Sequence, residues 1–117
     1  MNISDVTIEF FSDTGQHLKT LEHQLKNIHD VDVYLVEPKD NDAPALIAIG
    51  INKSGERAEI AARSVAKVLH DFIHDTSTPG QKKILLFTIE GERIDIEPLS
   101  IEEIEKIIFA AKEEESA

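Results

Sequence analysis

Cysteine is absent from the 117 residues, which excludes a disulfide framework, a thiolate nucleophile and a thiolate zinc cluster at once. Zinc would have to be held by histidine and carboxylate, and the composition fits a reducing cytosol, so a cytoplasmic protein is expected. No apolar run approaches the roughly 18 residues of a membrane span, and the opening MNISDVTIEFF has no basic segment ahead of an apolar stretch. Membrane insertion and secretion are not expected. Glycine and proline are few, at 5 and 4. Gly50 and Gly55 are too sparse to cradle a phosphate, and neither a Walker loop nor a dinucleotide turn is present. Cations are scarce too: 12 Lys and Arg stand against 23 Asp and Glu, a formal charge of −11. A phosphate backbone would be repelled over most of such a surface, which argues against nucleic acid as a partner. The same charge suits a basic protein partner through steering, and it also serves solubility.

What the chain does contain is enough apolar material for one core, 41% hydrophobic with 30% charged residues. Its length matches one domain of about 100 to 150 residues. One α+β domain is expected over residues 1–112, followed by a frayed acidic tail at 113–117.

Val6, Ile8 and Phe10 alternate with Thr7 and Glu9, the period of a strand with one buried face. Ser12 or Asp13 can cap a following helix whose apolar positions are Leu18, Leu21, Leu25 and Ile28. Val31, Val33 and Leu35 alternate again, until Glu37-Pro38 and a polar run stop the strand. APALIAIGI at 43–51 fits a buried strand better than a short buried helix. After the break at NKSGE, Ile60, Ala61, Val65, Val68, Leu69, Phe72 and Ile73 converge on one face of a helix over residues 57–74. KILLFTIEGERIDIE reads as a hairpin around Gly91. Ser100 and Glu103 form a capping box, with Leu99 stapled onto Ile104, and open a last helix. The expected architecture is a small two-layer sandwich of order β-α-β-(β)-α-β-β-α, with helices packed on one mixed sheet.

Chemistry is hard to find in this pattern. His70 and His74 in VLHDFIHD stand one helical turn apart, as a first pair of zinc ligands does, but they point away from the apolar face and a catalytic zinc wants three ligands. They are weak metal candidates, and His near a helix C-terminus meets the dipole favourably anyway. With Arg63 and Lys67 they form a cationic ridge, which is the expected partner-binding surface; its plainer reading is a solvated face on which Glu59 pairs with Arg63. His17, His23 and His29 are spread around the first helix. DTG at 13–15 matches an aspartic-protease triplet but opens a helix, where Asp13 serves as a cap. Glu37-Pro38-Lys39 matches the E-x-K element of metal-dependent nucleases, with Asp32 or Asp13 as conceivable metal partners, in acidic surroundings that disfavour nucleic acid. No catalytic residue, cofactor site or complete metal site is nominated.

The break IGINKSGERAEIAA entering the long helix, followed by KILLFTIEGERIDIEPLSIEEIEKII, resembles the effector-associated constant component family of bacterial conflict (defence) systems. The likeness covers most of the chain and is most specific in its last third. It implies a small non-enzymatic module, an adaptor that couples variable effectors, such as peptidases, to a defence or signalling system through protein–protein interaction. With no effector fused, the partner would act in trans: an effector or a signalling NTPase. Two alternatives are carried with it. One is an acidic immunity or inhibitor protein that neutralises a basic toxin; the other is a nuclease-type enzyme using Glu37 and Lys39. The sequence leaves homo-oligomerisation open.

Overall fold

The alternation of Val6, Ile8 and Phe10 is realised as the central strand of the molecule. In the computed structural model, which describes residues 6–12, 15–36, 44–75, 82–87 and 90–116, the elements follow the order β1 (Val6–Ser12), α1 (Gly15–Lys26), β2 (Val31–Val36), β3 (Ala45–Ile51), α2 (Glu56–His74), β4 (Lys82–Phe87), β5 (Arg93–Asp95) and α3 (Ile101–Ser116). Residues 43–51, the ambiguous stretch, contain strand β3 with strict alternation of buried Ala45, Ile47, Ile49 and Ile51. The β-branched isoleucines suit a pleated, half-buried surface.

The five strands lie in the order β2-β3-β1-β4-β5. β1 is antiparallel to both β3 and β4, with Ile8 opposite Ile47 on one side and Leu86 on the other. The outer pairs β2 with β3 and β4 with β5 are antiparallel as well. The expected mixed sheet is therefore corrected to a wholly antiparallel one. β1 and β2 do run in the same direction, as a strand-helix-strand unit requires, but β3 is inserted between them. In the same way β1 separates β3 from β4, which flank α2. Two split β-α-β units interlock, the ferredoxin-like arrangement, with β5 and α3 appended.

All three helices contribute to one core with the inward residues of the sheet. Ile8, Ile47, Ile49, Ile84 and Leu86 of the sheet pack with Leu21 and Leu25 of α1, Val65 and Leu69 of α2, and Ile104 and Ile108 of α3. Full burial of such side chains stabilises by about 1.5–3 kcal/mol each. Leu18, Ile28, Val31, Val33 and Leu35 complete the rim of this core.

The ends of the elements are held by specific bonds. Glu103 N–H donates to Ser100 Oγ at 3.1 Å, while Ser100 N–H donates to Glu103 Oε1 at 3.0 Å, the reciprocal capping box at the start of α3. Lys82 Nζ donates to the carbonyls of Phe72 at 2.7 Å and Asp75 at 2.9 Å. It also stands 4.7 Å from the Phe72 ring centroid. A cation thus meets the negative end of the α2 dipole and its orphan carbonyls. Gly91 turns the β4–β5 hairpin with φ 85°, where an L side chain is strained.

Two stability changes are expected from these features. Ser100→Ala lowers unfolding free energy by about 1 kcal/mol, read from a urea midpoint at constant m-value. Gly91→Ala costs about 1–2 kcal/mol, although open space surrounds the added Cβ, because the penalty is conformational and not steric contact.

Candidate functional site

The ridge on α2 exists but is not a free cationic stripe. Arg63, exposed on the helix, donates from Nε to Oε1 of the buried Glu105 on α3 at 3.0 Å. The bond and the charge of Glu105, with smaller contributions from Glu59 and Glu102, raise the Arg63 pKa above its ordinary value. Arg63 therefore ties α2 to α3, where the sequence suggested pairing with Glu59. Lys67 is exposed. The rings of His70 and His74 lie 4.5 Å apart at 43°, and His70 Nδ1 is 3.3 Å from Asp71 Oδ1. Among the described residues no group of three or more His, Cys, Asp or Glu side chains is placed to hold a metal ion. Nor is any helix of the described residues long and apolar enough to cross a membrane.

The remaining sequence candidates separate. Glu37, Lys39 and Asp13 lie outside the described residues. Asp32, on β2, accepts a 3.2 Å bond from Asn52 Nδ2. The first three histidines face different environments: on α1 His23 is exposed and His17 buried, and His29, in the turn that follows α1, is exposed. His17 Nδ1 and Ser12 Oγ form a 2.7 Å hydrogen bond whose donor depends on the imidazole tautomer. Phe72 packs edge-on against both His17 and Phe10, at 6.3 and 5.7 Å between ring centroids. A serine beside an imidazole could begin a nucleophile–base pair, but that pair needs a third group to orient the base. Here the imidazole is held by an aromatic wall, as a satisfied core histidine is.

An open cavity of about 210 Å³ lies beside the α1–β2 turn, lined by Ile28, His29, Asp30, Arg57, Ile60, Ala61 and Ser64. Asp30 adopts φ 67°, its carbonyl accepts from Asn52 N–H at 3.0 Å, and its carboxylate pairs with Arg57 at 3.3 Å. Ile60, which periodicity placed on the apolar face of the helix, lines this cavity and is 60% exposed, so that expectation is corrected: the packed face of α2 runs through Ala58, Ala61, Ala62 and Val65.

A further feature is one that periodicity alone did not present as a site. Since the three helices share the core on one side of the sheet, the alternate residues of the strands form a second face. Register aligns Tyr34, Ala48 and Thr7 in one row and Val36, Leu46, Glu9, Leu85 and Asp95 in the next. Phe87 stands opposite Arg93, and Phe11 opposite Lys83. Tyr34 and Val36 are 48% and 55% exposed. On this face aliphatic and aromatic side chains surround Glu9 of the central strand, and further charge lies towards its β4–β5 end. The alternation read for Val6–Phe10 sets polar residues opposite the core; Leu46, Ala48, Leu85 and Phe87 on the neighbouring strands do not alternate in this way, and that difference is the signal that could have found the surface.

Comparison with known proteins gives no match to a family model, a curated protein or a solved structure. The geometry of the chain itself therefore carries the functional argument.

The α2–α3 tie yields a direct test. Glu105 is buried while Arg63 is exposed, so Arg63→Ala strands a carboxylate without its partner. Arg63→Ala is expected to lower the thermal midpoint more than the double variant Arg63→Ala/Glu105→Leu does, in a double-mutant cycle followed by circular dichroism. Additive losses would show the pair to be uncoupled.

Proposed function

We propose that this chain is a non-enzymatic protein–protein interaction module, and that it couples an effector to a bacterial defence or signalling system. The observation that carries the interaction reading is the second face of the sheet. Exposed Tyr34 and Val36 adjoin half-buried Leu46, Ala48, Leu85 and Phe87 there, and apolar side chains gathered on one rigid sheet face are a common mark of an interaction surface. The resemblance of the GERIDIE hairpin and closing helix to the effector-associated constant component family supports the narrower part of the proposal, coupling to an effector or signalling NTPase in trans.

A second reading is favoured by the charge. At −11 the chain would be steered rapidly onto a basic toxin, as an immunity protein is. The two readings part on salt and on activity. An immunity protein loses association rate steeply as ionic strength rises and abolishes its partner's activity; a coupling module holds its partner through apolar contact and leaves it active.

Affinity capture from the native host at about 150 mM salt, near physiological ionic strength, followed by mass spectrometry, tests this. The expected result is one effector or NTPase retained by the wild-type chain and lost with Leu85→Asp, which replaces an aliphatic side chain of this face by a second carboxylate opposite Glu9. Equal retention by Leu85→Asp would rule out this face as the contact.

A further inference from the structure

Glu9 sits at the centre of the second face, on β1, directly opposite Leu46 on one side and Leu85 on the other. It is only 7% exposed, although α1, α2 and α3 all pack on the opposite side of the sheet. Its Oε1 is buried and accepts no hydrogen bond. A buried carboxylate oxygen without a donor is costly, and such groups in folded proteins call for an explanation. The cation beside it is Arg93, whose Nε is 3.4 Å from Oε1 without hydrogen-bond geometry. The Arg93 side chain is itself 61% exposed, and its guanidinium lies 5.6 Å from the Phe87 ring centroid. An ion pair with so exposed a partner contributes little.

Among the described residues the charge around this position leans acidic. Asp95 and Glu97 are exposed next to Arg93 in sequence, while of the two lysines of β4 it is Lys83, opposite Phe11, that lies on this side of the sheet. The face therefore combines the apolar Leu46, Ala48, Leu85 and Phe87, a carboxylate lacking a donor at its centre, and an acidic border.

From this arrangement we propose that the second face docks a protein segment that is both apolar and basic, with a lysine or arginine of that segment donating to Glu9 Oε1 in the place Arg93 holds in the free chain. The proposal rests on the interaction reading above and names the partner's chemistry. Apolar contact excludes water from the carboxylate, and a charge-assisted hydrogen bond is strongest where water is excluded. The acidic border selects the sign of the partner before contact. Phosphate-bearing partners meet the same border with repulsion, and a second copy of the chain would bring an equally acidic surface against it.

A random dodecapeptide library selected against the folded full chain, followed by titration of recovered peptides into the isotopically labelled chain, tests the proposal by amide shifts. The expected peptides combine apolar residues with Lys or Arg, perturb Thr7, Glu9, Leu46, Leu85 and Phe87, and bind more weakly as salt rises. Glu9→Gln is expected to weaken binding by about tenfold or more. Arg93→Ala, a change at an exposed site that spares the core, is expected to bind the same peptides more tightly because it removes the resident cation. Unchanged or weaker binding by Arg93→Ala overturns the exchange of cations. Peptides without a cation, or a footprint on the Arg63 to His74 ridge, overturn this docking surface and leave the interaction reading standing. A library that yields no binder removes both. Perturbation of the same amides by single-stranded oligothymidylate, or by raising the concentration of the chain alone, would reassign the face to nucleic acid or to a second copy.

Discussion

The alternation of β1 is the constraint on which the rest of the structure depends. β1 is the central strand, hydrogen-bonded on both edges, and its side-chain period of two assigns Val6, Ile8 and Phe10 to the helices and Thr7, Glu9 and Phe11 to the other side. A slip of one residue would place Glu9 in the core and Ile8 outside. Because β3 and β4 are in register with β1, their isoleucines and leucines follow the same assignment, and α1, α2 and α3 have one apolar surface to cover. The same constraint that builds the core therefore delivers Glu9 to the middle of the second face.

A chain so short of cations uses them as ties between distant segments. All three arginines meet carboxylates far away in sequence: Arg57 with Asp30, Arg63 with Glu105 and Arg93 with Glu9. Lys82 holds the C-terminus of α2 through its carbonyls. These contacts lie at the periphery of a hydrophobic core and fix how elements meet at their ends, while burial supplies the larger share of stability. The arrangement also changes the meaning of the α2 ridge. Periodicity correctly groups Arg63, Lys67, His70 and His74 on an outward surface, but Arg63 is recruited by α3, leaving a shorter and weaker positive patch than the sequence suggests.

Much of the fold was legible because its signals are local. The capping box at Ser100, the Gly91 hairpin, the helix ending at His74 and the strand alternations each depend on residues within a few positions of one another, where sterics and hydrogen bonding act without tertiary help. The strand at Ala45–Ile51 was harder, since a short apolar run satisfies a buried helix as well. The buried His17 was illegible for a different reason: its spacing spreads it from the other histidines, and only packing of Phe72 against it and the nearby Ser12 hydroxyl explain its burial.

By itself the sequence determined the element order, the apolar side of β1, β2 and β3 and of the helices apart from the exposed Ile60, the absence of cysteine and the strongly acidic balance, because each follows from composition or short-range periodicity. The tertiary structure decided the insertion of β3 between β1 and β2, the antiparallel pairing throughout, the Arg63–Glu105 tie and the setting of Glu9 among Leu46, Leu85 and Arg93. Those features join residues separated by tens of positions, and a side-chain period says which face a residue occupies without saying which strand will lie beside it.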